Sequence, residues 1–295
     1  MVRALFLTTL GGAGLAAGRI AAAEDVVPCV LDGGRFFATP RTASGLPTKW
    51  WLDTDGGGFV FSEAARRLRL TGGGAAGVDA PRFASASMPA ADGILLPVLD
   101  SQQAKTDPLL QGFDGQLGAS WFIRRRWLFD YPSAMLRCNA ASRASTWFPI
   151  ELAAGLYPRV RVEIAGTAFT ASLDSAASVA LRPDAVRRFR DALPAVRATS
   201  FVKRSLFEHW QQEHPEWPLL RNAGVAASVD AVRVPSVAVG PWSLGPQWFT
   251  TRPGDDVFEG ESISLKLGAS AFERCVLELD YVRRRIGVSG ISAPF

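Results

Sequence analysis

The chain has 295 residues, 48% of them hydrophobic, so it is long enough to bury a sizeable core and to form two lobes. Its 32 basic and 28 acidic residues leave a formal net charge of +4, which does not indicate a nucleic-acid partner. Its 28 glycines and 19 prolines are spread among short apolar runs, and this pattern predicts a mostly β fold with many turns and a few short helices.

Residues 1–23 resemble an export signal. Arg3 provides a short positive start, residues 4–18 are apolar or small, and Ala21-Ala22-Ala23 offers a cleavage site of small residues. A buried first helix is the alternative, although four glycines in this stretch would weaken it. The segment predicts a soluble protein that is periplasmic or secreted. No other apolar run is long enough to span a bilayer.

Three cysteines are present, Cys29, Cys138 and Cys275. They allow at most one intramolecular disulfide, which export would permit, and the sequence leaves the pairing open. Their spacing matches no metal cluster, so we expect neither a metal nor a cofactor.

The predicted elements of the first half lead to an acidic loop. Residues 26–31 are predicted to form a strand, and residues 36–39 and 49–52 form a hairpin that delivers Asp53 to the loop. Ser62 is then predicted to cap the N-terminus of a short helix.

The second half repeats this order. Residues 159–164 alternate between polar and apolar side chains, turn at 165–167, and return through 169–173 to deliver Asp174. Pro183 begins a helix that is predicted to run to about Leu193. An amphipathic helix is predicted within 204–217. We place the boundary between the lobes in 144–154, which divides the mature chain into an N-terminal lobe, 24–150, and a C-terminal lobe, 151–295.

Four landmarks occur twice in register, and one of them is an Arg-Arg pair 13 and 14 residues after the acid, Arg66-Arg67 and Arg187-Arg188. Each half contains an acidic loop, a Leu-Gly-Ala-Ser segment and, 13 residues after the start of that segment, an Asp-Tyr pair. The repeated segments are Leu52-Asp53-Thr54-Asp55 with Leu173-Asp174-Ser175-Ala176, Leu117-Gly118-Ala119-Ser120 with Leu267-Gly268-Ala269-Ser270, and Asp130-Tyr131 with Asp280-Tyr281. Such a duplication can bring one carboxylate from each copy to a shared pseudo-twofold interface.

Two aspartates held together cannot both ionise cheaply, so they share a proton. One can then act as a base toward water while the other protonates a substrate carbonyl. The hydroxyl that follows each acid, on Thr54 and Ser175, can hydrogen-bond the opposing loop and fix its position. Gly118 and Gly268 permit close backbone approach beneath the loops.

These segments resemble the pepsin-like aspartic proteinases, and more closely the retropepsin-like proteins of bacteria, which carry Asp-Thr-Gly or Asp-Ser-Gly in each lobe. The resemblance implies a bilobal, mostly β fold with pseudo-twofold related lobes and a few short helices. It also implies an endopeptidase in which Asp53 and Asp174 are the catalytic acids, Thr54 and Ser175 brace the loops, and Gly118 and Gly268 are structural. The implied substrate is an extended peptide or unfolded protein, bound by a monomer.

The chain departs from this pattern at two positions, because Asp55 and Ala176 replace the family's glycines. If Asp55 faces the two acids, its charge should raise their proton affinity. If it turns outward onto Arg66 or Arg67, catalysis can survive. The family's flap tyrosine is absent between Asp53 and Leu117, and residues 90–93 are a candidate tip for a different flap. A catalytically silent peptide- or protein-binding relative is therefore the main alternative.

Other functions fit less well. Asp53-Thr54-Asp55 resembles the start of haloacid-dehalogenase-type phosphatases, with Asp255 and Asp256 as later magnesium ligands, but that reading leaves the duplication unexplained. Ser120 and Ser270 are expected to be structural, because two identical copies do not suggest a nucleophile. His209 and His214 are expected on a surface helix and lack metal-site spacing.

Overall fold

The computed structural model describes residues 26–189, 192–258 and 262–290. The predicted export signal, residues 1–23, lies outside these ranges. The described residues form three large antiparallel or mixed sheets and several short helices, as the sequence predicts. No helix in the described ranges is both long enough and apolar enough to cross a membrane.

The first sheet has six strands from the first half of the chain. In spatial order they are Cys29–Asp32, Arg35–Ala38, Trp50–Leu52, Gly115–Leu117, Phe59–Phe61 and Val98–Leu99. Trp50–Leu52 pairs antiparallel with Arg35–Ala38 and parallel with Gly115–Leu117. The predicted hairpin is therefore present, and it ends directly before Asp53.

The second sheet has eight strands from the second half. In spatial order they are Glu151–Ala153, Tyr157–Ile164, Thr167–Asp174, Leu265–Gly268, Ser200–Val202, Trp242–Thr250, Ala231–Val239 and Leu219–Leu220. Tyr157–Ile164 has the predicted alternation, since Val160, Val162 and Ile164 are buried whereas Arg161 and Glu163 are exposed. Thr167–Asp174 pairs parallel with Leu265–Gly268. This pairing matches that of Trp50–Leu52 with Gly115–Leu117 in the first half.

The third sheet joins strands from both halves. In spatial order they are Val26–Val27, Met135–Cys138, Arg126–Asp130, Val276–Asp280, Arg285–Ser289 and Phe148–Pro149. Arg126–Asp130 and Val276–Asp280 pair antiparallel, and the central pair is Leu128 with Glu278. These two residues are 150 positions apart, as are the two Leu-Gly-Ala-Ser segments. The two equivalent strands therefore face each other.

The repeated Asp-Tyr pairs form turns for the same physical reason in both halves. The Asp130 carboxylate accepts a hydrogen bond from the backbone N–H of Ser133, and the Asp280 carboxylate accepts one from that of Arg283, each at 3.0 Å. Short polar side chains commonly stabilise turns in this way. Arg143 also pairs with Asp130 at 2.6 Å, and Arg285 with Asp280 at 3.1 Å.

Two further sheets have two strands each: Ser178–Ala180 pairs with Val196–Ala198, and Val78–Asp79 pairs with Leu95–Leu96. The α-helices are Ser62–Arg67, Ser101–Thr106, Ala119–Phe122, Pro183–Phe189 and Arg204–Glu213. The 3₁₀ helices are Gly74–Ala76, Pro108–Leu110, Pro253–Phe258 and Ala269–Phe272.

The predicted cap at Ser62 is wrong. Ser62 is the first helical residue, and the residue before it makes no side-chain cap. The Ser101 hydroxyl instead accepts the backbone N–H of Glu63 at 2.8 Å. A serine from another segment thus satisfies a donor at the helix start, which spacing along the chain does not reveal. The helix at Pro183 begins as predicted, but Leu193 lies beyond its end.

One apolar cluster supports both acidic loops. It includes Trp50 and Leu52 before the first loop and Leu173 before the second, together with Leu117 and Leu267 from the adjacent strands. All five side chains are at most 2% exposed. The loops therefore emerge from well-packed strand ends, which limits their freedom.

Candidate active site

The two acidic loops interlock through their hydroxyl side chains. The Thr54 backbone N–H donates to Ser175 Oγ, and the Ser175 N–H donates to Thr54 Oγ1, both at 3.0 Å. Each hydroxyl then donates to the backbone carbonyl before the opposing acid: Thr54 to Leu173 O at 2.5 Å and Ser175 to Leu52 O at 2.8 Å. This reciprocal arrangement holds the loops of Asp53 and Asp174 against each other.

The glycines of the repeated segments lie where side chains would collide with backbone. A Cβ added at Gly118 would clash with the backbone of residues 56–58, and one at Gly268 would clash with the carbonyl of Thr199. Gly118 is flanked by two loop contacts, since the Asp53 N–H donates to Leu117 O at 3.0 Å and the Ala119 N–H to the Gly56 carbonyl at 2.8 Å. The absence of a side chain lets the strand end support the loop.

Each of the two acids is oriented by its own loop. Asp53 accepts the backbone N–H of Asp55 at 2.8 Å, and Asp174 accepts that of Ala176 at 3.0 Å. Asp53 also accepts the side-chain amide of Gln116 at 2.8 Å. Asp53 is 8% exposed, whereas Asp174 is only partly buried. One oxygen of each carboxylate is therefore fixed by its own loop backbone.

Asp55 takes the first of the two orientations considered from the sequence, because it is buried close to the two acids and its charge raises the pKa of Asp53. It does not reach Arg66 or Arg67, and Arg67 instead pairs with Asp114 at 2.6 Å. The Asp55 carboxylate turns toward the second half of the chain, where it accepts Lys266 Nζ at 2.7 Å and the Ser172 hydroxyl. The third carboxylate thus has a buried cation as its partner.

Burial is the largest cause of the altered titration of these acids. It raises the pKa of Asp53 well above its ordinary value, and the charge of Asp174 raises it further. Burial likewise raises the pKa of Asp174, against the lowering effect of Lys266. Burial and the charge of Asp174 raise the pKa of Asp55 to about 7, although Lys266 and Ser172 oppose that rise. The site therefore favours retention of protons on its carboxyl groups.

A mostly apolar cavity of about 330 Å³ lies between the two halves, near the second acidic loop. Its walls include Pro108 and Leu109 from the first half and Ser178, Val179 and Arg252 from the second. Ser178 follows Asp174 by four positions, and the positive charge of Arg252 lowers the pKa of Asp174. Neither Asp53 nor Asp174 lines the cavity, whose connection to the second loop is through Ser178 and Arg252.

The predicted flap tip does not project freely. The Pro89 carbonyl accepts the indole N–H of Trp121 at 3.1 Å, and the Ala90 carbonyl accepts Arg125 at 3.0 Å. Ala91 is only 3% exposed. These contacts bind the start of residues 90–93 to the body of the fold. The hairpin in this region is formed by Val78–Asp79 and Leu95–Leu96.

The phosphatase interpretation is wrong, because the sheets lack alternating strands and helices and Asp255 accepts the backbone N–H of Arg204 at 3.0 Å. His209 lies 3.2 Å from Glu213 on a partly exposed helix, and His214 stacks on Trp217 with ring centroids 4.1 Å apart. Both histidines are thus engaged in contacts within their own segment.

The sequence analysis missed Gln116, Lys266 and Ser172 as site residues. Gln116 and Lys266 occupy equivalent positions, each directly before a Leu-Gly-Ala-Ser segment. Both side chains reach the first acidic loop. The repeat could have identified Gln116 and Lys266. Each lies two residues before a structural glycine, and that glycine lies beneath an acidic loop.

The fold resembles that of pepsin-like aspartic proteinases. An aspartic proteinase from Irpex lacteus aligns with a TM-score of 0.55 and 11% identity, over 90% of this chain and 97% of the other. Conglutin gamma, a basic 7S globulin from lupine seeds, aligns with a TM-score of 0.50 and 11% identity, over 90% and 95%. Basic 7S globulin from soybean aligns with a TM-score of 0.47 and 12% identity over the same shares. No protein-family model and no curated protein matches the sequence. At such identities the likeness concerns the fold alone.

Proposed function

We propose that this chain is an aspartic-type endopeptidase whose catalytic acids are Asp53 and Asp174. The observation that carries the proposal is the interlock of Thr54 and Ser175, which holds the two acidic loops against each other. The charge of Asp174 also raises the pKa of Asp53, as two carboxyl groups that share a proton require.

The chemistry needs one ionised and one protonated carboxyl group. The ionised group takes a proton from water as the water oxygen attacks the peptide carbonyl carbon, and the protonated group gives its proton to the carbonyl oxygen. The tetrahedral intermediate then breaks its C–N bond: the leaving nitrogen takes a proton from the carboxyl group that had received one from water, and the other carboxylate takes a proton from a hydroxyl of the intermediate, which becomes the product carboxyl group. No covalent enzyme intermediate is needed.

The substrate is proposed to be an unfolded protein or extended peptide. The cavity beside the second loop can accept an apolar side chain, because its walls are mostly apolar. Residues 24–150 and 151–295 are proposed as the two lobes that flank the site, and a monomer would then carry both acids. Residues 1–23, as an export signal, would send the enzyme to the periplasm or outside the cell.

The test is cleavage of denatured casein by the mature protein across about pH 3 to 8, followed by mass spectrometry of the products. Asp53→Asn and Asp174→Asn should each reduce cleavage at least about 100-fold, because each removes one partner of the acid–base pair. Asp92→Asn is the matched control, since Asp92 is a largely exposed aspartate paired only distantly with Arg82. Its activity should equal that of the unaltered protein.

Equal cleavage by Asp53→Asn and the unaltered protein would refute the assignment of the acids and point to a contaminating protease. Complete absence of cleavage by the unaltered protein at every pH would favour a second function.

That second function is peptide or protein binding without catalysis. The buried carboxylate of Asp55 beside the candidate acids favours it, because extra charge can prevent the ionisation that catalysis needs. The comparison with conglutin gamma shows only that a protein described as a globulin shares the fold. Saturable binding of labelled casein peptides, without product formation and lost in a cavity variant such as Val179→Arg, would support this function.

A further inference from the structure

Asp55 and Lys266 form a buried ion pair between segments 211 residues apart. Their side chains are only 1% and 5% exposed, and Nζ lies 2.7 Å from the carboxylate oxygen. The Ser172 hydroxyl donates to the other carboxylate oxygen, so both oxygens of Asp55 have partners in the second half of the chain. Two buried charges require such mutual compensation.

The other side of the site has no equivalent pair. The position equivalent to Asp55 is Ala176, which packs against Phe37 and Trp51. The position equivalent to Lys266 is Gln116, whose uncharged amide contacts Asp53 and the Gly57 carbonyl. The repeat thus carries a charged pair at one of its two equivalent contacts, with one charge from each half of the chain. Ala176 and Gln116 therefore show which uncharged residues the repeat accommodates at the positions of Asp55 and Lys266.

We propose that Asp55 and Lys266 are positioning residues, which fasten the first acidic loop to the second half of the chain and set the protonation of Asp53 and Asp174. A role of this ion pair in catalysis rests on the proposed function. Its effect on the two carboxyl groups can be measured without catalysis. The positive charge of Lys266 offsets the negative charge of Asp55, which would otherwise raise the pKa of Asp53 further.

The two members act on the acids with opposite signs. Lys266 lowers the pKa of both Asp53 and Asp174, whereas the charge of Asp55 raises that of Asp53. Two other groups face the cluster. Arg252 lowers the pKa of Asp174, and the phenol of Tyr281 is fully buried, with its own pKa raised by burial and by the charges of Asp55 and Asp53.

The test exchanges each residue for its counterpart in the other half, giving Asp55→Ala, Lys266→Gln and the double variant. Carboxyl ¹³C NMR titration, assigned with Asp53→Asn and Asp174→Asn, reads the protonation of the two acids directly. Lys266→Gln should move the titration of both acids to higher pH, and Asp55→Ala should move that of Asp53 to lower pH. The double variant should fall between the single variants. Where cleavage is detected, its pH profile should shift in the same directions.

Thermal unfolding provides the second readout. Above the pKa of Asp55, which is about 7, each single variant should lower Tm by about 5 °C or more, because it leaves one buried charge without its partner. The double variant should recover at least half of the summed loss. Lys105→Met is the matched control, since Lys105 is 58% exposed and lies 3.7 Å from Glu63.

Additive losses of Tm, or titrations of Asp53 and Asp174 that stay in place in both single variants, would overturn the proposal. If a single variant does not fold, the double variant decides, because it lacks both charges and should fold. Failure to cleave casein would refute the proposed function alone, since neither the titration nor the unfolding measurement needs peptidase activity.

Discussion

The hydroxyl of Thr54 provides the sharpest test of how the two acidic loops are held. Thr54→Val keeps the shape of the side chain but removes the donor to Leu173 O and the acceptor for the Ser175 N–H. Thr54 is 1% exposed, so water cannot readily replace either contact. The change isolates the hydrogen bonds of the brace from the packing around it.

The expected loss follows from two partners left unsatisfied. Each buried, unsatisfied group costs about 1–3 kcal/mol, so the variant should lose roughly 2–6 kcal/mol in the free energy of unfolding. At about 2–4 °C per kcal/mol for a chain of this size class, Tm should fall by roughly 4–24 °C. Because the loops also orient the acids, cleavage should fall more steeply than the folded fraction at the assay temperature.

The assay compares urea unfolding and casein cleavage for Thr54→Val and Thr170→Val. Thr170 lies on the strand Thr167–Asp174 with its side chain exposed, so its replacement makes the same chemical change without breaking the brace. Equal unfolding free energies for the two variants would refute the argument that the hydroxyl fastens the loops. Full activity in Thr54→Val would separate loop bracing from catalysis.

Three further predictions concern pH, close packing and capping. Because burial and the charge of Asp174 raise the folded-state pKa of Asp55 from 3.8 to about 7, the folded chain holds more protons than the unfolded chain between those values. The free energy of unfolding should therefore fall as pH rises through that range. Gly118→Ala should destabilise the chain by about 1–3 kcal/mol in urea, because the new methyl group meets backbone, whereas Gly57→Ala has open space and should be nearly neutral. Ser101→Ala should cost about 1 kcal/mol by thermal unfolding, because it removes the acceptor for the Glu63 N–H.

Each of these predictions has a contrary result. An equally steep decline with pH in the Asp55→Ala, Lys266→Gln double variant would show that the decline comes from other groups, Asp53 and Asp174 included. Equal unfolding free energies for Gly118→Ala and Gly57→Ala would show that the strand end does not support the loop. An unchanged Tm in Ser101→Ala would show that water caps the helix as well as the hydroxyl does.

The alternation within a strand and the position of the acidic loops could be predicted from local pattern. The alternation that ends at Ile164 specifies which side chains of the strand face the core, and the turn at Ala165 and Gly166 returns the chain to Asp174. Capping and flap geometry could not be predicted. The donor at Glu63 is satisfied by Ser101, 38 positions away, and the backbone at Ala90 is bound by Arg125.

The amino-acid sequence by itself determined the repeat: two acids, each followed by a hydroxyl residue, and two glycines that free the backbone to support them. These properties are local, because residue type and spacing alone specify them. Only the tertiary structure decided what Asp55 does. Its partner Lys266 lies 211 positions away, and no local pattern specifies which of the chain's basic side chains meets it. The partner of Asp55 depends on how the end of the strand Trp50–Leu52 packs against the strand Leu265–Gly268. This packing brings together residues that are far apart in the chain.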